Sequence, residues 1–439
     1  MSVDVTVNLW GTAVGYLGYE PGQTEVATFE FDEAFEQSGI QLSPIEMRHP
    51  PRIHRFDAIS RRTFKGVPGI CADSLPDKFG NQLIDLFMVD RNITPAEITT
   101  LDRLLYVGKR GVGALEYEPS AEFEAGASSA LALDLAALTE LAGRIARQKQ
   151  EAHRELLETE SRAQALRLIR VGSSAGGARA KALVARLGDR LLDGTVDHGP
   201  GATYWLLKFD VDGNADRDGA DPKGMTKVEY IYSQIAQELG LDVPQVSFID
   251  DGDDFHFLSE RFDRVRREAR LDKLHYASWC GLAHADRDSP GAYGYEQLVQ
   301  LVRELDLGQD AVTEVFRRAL FNVVGRNHDD HTKNFGLLMD REGEWRLAPA
   351  FDLTYAFDRQ AKWTRAHQVR LNRKQDGFVW DDILTFGRFC NLTEAKTREY
   401  TQELVQAMAT FERRAKEIAV PSKLARQIAR DLRLGLGAG

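Results

Sequence analysis

A chain of 439 residues exceeds what one hydrophobic core usually organises, so two or three packed units are expected. With 43% hydrophobic and 28% charged residues it falls among globular proteins, which excludes a largely disordered, collagen-like or fibrous polymer. A formal charge of −11 without a long basic run argues against autonomous nucleic-acid binding. Three widely spaced cysteines, Cys71, Cys280 and Cys390, fit neither a disulfide framework nor a zinc ligand set, and a reducing cytoplasm is the expected compartment. No basic segment followed by an apolar stretch opens the chain, and no apolar run of about 18 residues occurs, so neither export nor membrane insertion is expected.

Residues 3–31 alternate apolar and polar side chains between glycines, which predicts a small β-rich unit. SLPDKFGNQLID, from Ser74, reads as a turn entering an amphipathic helix that closes this unit. A second helix is expected from the N-cap Thr94, with Pro95 first and Glu97 completing a capping box. The small polar stretch 120–130 marks a boundary, and 131–168 reads as helix. From 170 to 265 the pattern turns strand-like: a glycine-rich turn at 172–177, apolar runs at 182–187 and 203–209, a helix at 226–239, and strands at 245–249 and 255–259. That order suggests a nucleotide-binding β lobe. After 270 the pattern is mainly helical and closes on one long amphipathic helix before a glycine-rich tail.

The sharpest constellation is Asn327-His328-Asp329-Asp330-His331-Thr332-Lys333-Asn334, followed by Phe351-Asp352. Phosphoryl transfer needs a carboxylate to orient the substrate hydroxyl and oxygen ligands for Mg²⁺. Asp329 supplies the first; Asn334, five residues on, and Asp352 supply the second. A transition-metal hydrolase built on His328, Asp329, Asp330 and His331 is the competing reading, disfavoured because adjacent loop residues seldom converge on one ion.

Three weaker motifs precede it. Trp205-Leu206-Leu207-Lys208-Phe209 ends a buried-strand pattern on a lone lysine, and an ammonium there calls for an anionic partner such as a nucleotide phosphate. Glu229 is the expected ion-pair partner of that lysine. The run from Gly172 to Lys181 could bring backbone N–H groups to phosphates, although it lacks the Gly-Lys-Ser/Thr ending of a Walker A loop. Leu258 to Arg264 is a strand end able to offer main-chain groups to an adenine and a carboxylate to a ribose.

Taken in order, with SLPDKFGNQLID and LYVGKRGVGALEYEP before them, these motifs resemble the HipA family of bacterial toxin kinases over nearly the whole chain. The resemblance implies an α+β, bilobal protein-kinase-like fold: an N-terminal β-rich subdomain over 1–125, a linking helix and nucleotide-binding lobe over 126–265, and a helical C-terminal lobe over 266–439. It implies a serine/threonine protein kinase that uses ATP and Mg²⁺ and acts on an aminoacyl-tRNA synthetase. A helix-turn-helix, HipB-like antitoxin would neutralise it, and operator DNA would be reached only through that antitoxin. By the same resemblance Asp329 is catalytic, Asn334 and Asp352 bind the metal, and Lys208 meets the ATP phosphates. Gly176, Gly177, Ala178, Arg179, Ala180 and Lys181 form the phosphate loop. Glu260, Arg261 and Phe262 form the adenine hinge, and Asp263 contacts the ribose. His331, Thr332, Lys333, Asn334, Phe351 and Asp352 line the site, and Ser174 is autophosphorylated. The loop departs from the family's commonest spelling by carrying Arg179-Ala180 where Gln-Pro or Gln-Glu often stand, and by placing Ser173 beside Ser174. A small-molecule kinase and a catalytically silent repressor subunit are the alternatives. The intact Lys208, Asp329, Asn334 and Asp352 argue against the silent subunit, and the N-terminal unit argues against the small-molecule enzyme.

Overall fold

The computed structural model describes residues 5–89, 93–120, 132–147, 162–172, 179–211, 222–252, 254–268 and 270–438. Strands β1 (Val5–Leu9) and β2 (Thr12–Tyr19) are joined by Trp10-Gly11, both with positive φ, the two-residue turn whose twist suits a hairpin. The indole N–H of Trp10 donates to the Lys273 carbonyl at 2.6 Å, so the turn also ties this unit to the rest of the chain. With β3 (Ala27–Phe31), β4 (Ile53–His54) and β5 (Leu115–Glu118) these strands form an antiparallel sheet in the order β4-β3-β2-β1-β5. Its buried side chains include Val5, Val7, Leu17, Phe29 and Phe31 in alternation, and Val14, which is buried where the β1–β2 register shifts between Val7 and Asn8.

The next helices differ from the sequence expectation in two ways. The Thr94/Glu97 box closes only a 3-10 turn, Pro95–Glu97; Ile98 is extended, and a second box, Thr99 with Asp102, starts the Thr100–Val107 helix. The Lys78–Val89 helix sends Phe79, Leu83 and Ile84 into the core of the second sheet, alongside Leu141 and Ile145 of the Leu135–Arg147 helix and Leu168 of the Arg162–Gly172 helix.

The second sheet is antiparallel in the order β7-β6-β8-β10-β9, with β6 Lys181–Leu187, β7 Arg190–Asp193, β8 Thr203–Lys208, β9 Val246–Asp250 and β10 Phe255–Glu260. The Met225–Glu238 helix packs on β10. A hairpin, β11 (Arg264–Arg267) with β12 (Arg270–Lys273), leads into the helical region. There the Tyr295–Glu304, Gly308–Gly325, Trp380–Phe389 and Glu394–Ala409 helices surround a core shared with the first sheet.

Two further corrections concern this region. A three-stranded sheet, β13 (His275–Ser278), β14 (Gly336–Met339) and β15 (Trp345–Leu347), is set among the helices; strands of three or four residues leave little periodicity to read. The long C-terminal helix is broken after Ala409 and again at Ala419, which has φ 54°, before Pro421 heads the Ser422–Asp431 helix. Among the described residues no helix is long and apolar enough to cross a membrane.

Candidate active site

The Gly308–Gly325 helix ends on Arg326 in the left-handed conformation, and the chain turns into an extended loop, residues 327–331. Consecutive carboxylates in that loop face opposite surroundings. Asp329 is 46% exposed; its Oδ1 accepts from the Gln368 side-chain amide at 2.9 Å, while its carbonyl accepts from Asn334 Nδ2 at 2.7 Å. Asp330 is 1% exposed and surrounded by donors: Tyr295 Oη–H and His367 Nδ1–H to Oδ2, both 2.8 Å, and the Gln368 backbone N–H to Oδ1, also 2.8 Å. Burial opposes ionisation of Asp330, but His367 and the donors from Tyr295 and Gln368 outweigh it and hold its carboxyl below the usual range.

Asp352 also has a left-handed backbone, φ 54°. Asn327 fixes it to the loop by donating from Nδ2 to the Asp352 carbonyl at 3.2 Å and to Asn322 Oδ1 at 3.0 Å. The Asp352 carboxylate accepts from Lys208 Nζ, which also donates to Glu229 Oε1 at 2.5 Å. The anticipated Lys208–Glu229 pair is therefore present, and Asp352 joins it across the gap between the second sheet and the helical region. Burial alone would depress the Lys208 ammonium, but Asp352 and Glu229 together hold it above its ordinary value. Burial likewise opposes ionisation of Asp352, yet Lys208 and Lys181 hold its carboxyl well below the usual range. Lys181 is the register partner of Lys208 on β6, is equally buried, and faces Asp77 Oδ2 at 3.7 Å. Burial draws its ammonium downward. Arg179 Nη1 lies 3.6 Å from Glu229 Oε2. Ser173, Ser174, Gly176, Gly177 and Ala178 lie outside the described residues.

The strand end after β10 is only partly what was expected. Glu260 is half-buried, and the Phe262 ring lies 6.2 Å from Tyr276 and 5.8 Å from Phe351, the residue before Asp352; the Arg261 N–H donates to the Tyr204 carbonyl, so Phe262 stands toward the Thr203 end of β8. Asp263, expected to meet a ribose, is instead buried and engaged on both oxygens. Arg261 Nε donates to Oδ1 at 3.0 Å; Arg261 Nη2, Arg264 Nη1 and the Gly113 backbone N–H donate to Oδ2 within 2.8 Å. An inward-facing carboxylate between two guanidiniums costs less to bury than one left alone. Thr332 donates its hydroxyl to the Ala285 carbonyl, and Lys333 reaches toward Asp73, 3.9 Å away. The side chains of Asp263, Arg261, Thr332 and Lys333 thus have protein partners of their own. His331 Nε2 lies 4.0 Å from Asp329 Oδ1.

The hydrolase constellation does not assemble. His328 is fully buried, its ring tilted against His367 at 4.1 Å and against Phe357 at 4.8 Å, and burial, His367 and Arg433 push its pKa down to about 2. Asp330 faces away from Asp329. Among the described residues the cluster with metal-like spacing is Asp251, Asp254 and His256 at the β9–β10 turn. There His256 Nδ1 accepts the Asp210 N–H, so Nε2 carries the proton that a metal would displace.

Asp77, Gln368 and His367 were not singled out from the sequence, and Asn327, although within the loop motif, was given no role. Asp77 had a legible signal, since it caps the Lys78–Val89 helix through Gly80 N–H at 2.7 Å; Gln368 had none.

A family model for the HipA N-terminal domain matches residues 5–118, and one for the HipA-like C-terminal domain matches 173–431. A Haemophilus influenzae protein whose name proposes a kinase is 30% identical over 140 residues, 28% of this chain and 39% of that protein. Y4mE of Sinorhizobium fredii, also named for a proposed kinase activity, is 28% identical over 136 residues, 30% of this chain and 32% of that protein. The chain thus spans between about a third and two fifths of the length of these curated relatives. The solved Shewanella oneidensis MR-1 HipA, from a complex with HipB and operator DNA, superposes with a TM-score of 0.65 at 16% identity, covering 99% of this chain and 96% of that one, a likeness of fold. With the C-terminal model alone covering more than half of its length, the chain belongs to the HipA family.

Proposed function

We propose that this chain is an ATP- and Mg²⁺-dependent serine/threonine protein kinase of a toxin-antitoxin pair. The observation that carries the reading is the convergence of Asp329, Asn334, Asp352 and Lys208 on one site, with Asn327 bracing Asp352 against the loop that bears Asp329. Asp329, exposed and held by one oxygen, is placed to take a hydrogen bond from a substrate hydroxyl and receive its proton as the phosphoryl group departs from ATP. Lys208 and Lys181 offer two buried ammonium groups to phosphate oxygens.

The donor set fits Mg²⁺. Asn334 uses its amide nitrogen on the Asp329 carbonyl, which turns its oxygen the other way, and Asp352 brings an ionised carboxylate, so both candidate ligands are hard oxygens. Bound Mg²⁺ would neutralise charge on the phosphates. Phe262, Phe351 and Tyr276 supply an apolar aromatic surface suited to a base.

Three finer parts of the reading rest on family resemblance, first an aminoacyl-tRNA synthetase as substrate, and second a HipB-like helix-turn-helix partner that carries the DNA contact this acidic chain is poorly charged to make. Self-modification at Ser174 is the third; a phosphate there would add about −1.5 to −2 charges beside the phosphate loop and weaken nucleotide binding. The test is incubation with γ-labelled ATP, Mg²⁺ and a cell lysate beside Asp329→Asn, followed by identification of labelled proteins and of any phosphate on Ser174 or Ser173. Label transfer by the wild type and none by the variant is expected; equal labelling would remove Asp329 from the mechanism.

A further inference from the structure

We propose that Gln368 is a positioning residue for Asp329, held in place by a buried relay that runs from Asp330 through His367 to Arg433. The proposal rests on the kinase reading and adds to it a residue that no motif of the loop contains.

Gln368 touches both adjacent carboxylates. Its backbone N–H donates to Asp330 Oδ1 and its side-chain amide donates to Asp329 Oδ1, at 2.8 and 2.9 Å. Its own carbonyl accepts from Gly291 N–H at 2.7 Å, so the main chain is pinned on both sides while only the side chain reaches the exposed acid. A buried amide whose role is packing would be satisfied by buried backbone groups; this one, in a residue 6% exposed, is aimed at a carboxylate that is 46% exposed. Among the described residues this is the one hydrogen bond the Asp329 carboxylate receives, and it occupies Oδ1. Oδ2 is left for the substrate hydroxyl, and rotating the carboxylate would break the bond.

The support behind Gln368 has a defined polarity. Arg433 Nη1 donates to His367 Nε2 at 3.0 Å; since a guanidinium only donates, Nε2 accepts, and the ring proton must sit on Nδ1, facing Asp330 Oδ2 at 2.8 Å. Tyr295 Oη–H donates to the same oxygen and accepts from Asn322 Nδ2 at 3.0 Å. Each member therefore has one workable proton arrangement, and the Asp330 carboxylate that receives Gln368 N–H cannot swing. Arg433 is anchored in turn by Asp376 and by the Val323 carbonyl.

The test compares Gln368→Met, which keeps length and volume but removes the donor, with the wild type. The readout is the initial rate of transfer from γ-labelled ATP to the lysate protein that the wild type labels best. A fall in kcat of about tenfold or more is expected, with the KM for ATP and the thermal midpoint unchanged. In an Arg433→Met background the Gln368→Met effect should shrink, because the loosened relay no longer holds the amide, while Arg433→Lys, which retains a donor to His367, should recover most of the rate. Wild-type kcat in Gln368→Met, or a KM rise that accounts for the whole loss, would overturn the positioning role. Strictly additive effects of the two substitutions would overturn the relay. Failure of the wild type itself to transfer label would instead bring down the kinase reading on which both stand.

Discussion

The two sides of the site are built on opposite principles. On the loop side, Asp330, His367, Tyr295, Asn322 and Asn327 form a closed set of hydrogen bonds in which every proton has one place, and Asp329 is left half-exposed on its surface. On the sheet side, Lys208, Lys181 and Glu229 are buried charges balanced against one another and against Asp352, whose side chain is 31% exposed, with little hydrogen-bonded scaffolding. The first arrangement fixes a geometry before substrate arrives. The second holds cations close to carboxylates, an arrangement in which, on the proposed function, a polyanion would compete with Asp352 for Lys208. Substitutions on the loop side should therefore act mainly on rate, and those on the sheet side on stability and nucleotide affinity together.

Asp329→Asn should show the largest effect, a loss of about 10³-fold or more in transfer rate with nucleotide affinity retained by calorimetry. A parallel loss of affinity would blur the division between the sides. Next comes Lys208→Met, which leaves Glu229 buried without its closest cation and frees the partly exposed Asp352. We expect about 3–5 kcal/mol of lost stability in denaturant titration, together with loss of nucleotide binding. Asp352→Ala beside it should lose Mg²⁺-dependent affinity yet keep more stability, because Glu229 still pairs with Lys208.

A smaller effect concerns pH. His275 is fully buried against Trp345, and burial pushes its pKa down to about 4 from an ordinary value near 6.5. Because the unfolded chain takes up a proton there first, the stability of the neutral form is complete above about pH 6.5 and is lost as pH falls toward 4, roughly 3 kcal/mol in all. His275→Gln should flatten the urea-midpoint profile between pH 7 and pH 4.5. The depressed carboxyls of Asp263 and Asp352 act lower, their contribution present above about pH 4 and lost as pH falls further. Smallest of all, Arg413→Ala breaks an exposed pair with Glu417 and should change stability by about 0.5 kcal/mol or less. A larger change would mean that surface charge matters more than the buried sets just contrasted.

What could be read in the sequence was whatever depends on side-chain identity at short spacing. Asp329 and Asn334 share a loop, Lys208 ends an apolar strand, and Glu229 lies on the next helix, so their juxtaposition was legible. The partners that orient them were not. Gln368 lies 39 residues beyond Asp329 and Asn327 holds Asp352 from 25 residues away, and a lone amide in a polar loop has no signature of direction. Asp263 shows the reverse failure: its type suits a ribose, but which way a strand end faces is decided by Arg261, Arg264 and the distant Gly113. In the fold, alternation disclosed the first sheet and β8, whereas β14 and β15 were too short to register and two capping boxes in succession split what read as one helix.

The anchoring of His367 and His328 by Arg433 also has a consequence for biosynthesis. His328 lies 105 residues ahead of the arginine that contacts it and His367 lies 66 ahead. A ribosome that has just finished the loop bearing Asp329 has therefore not yet made the residue that locks its support. Until the polypeptide has emerged through Arg433, the nascent chain carries Asp329 but not the full frame behind it, so assembly of that frame waits for the last stage of translation.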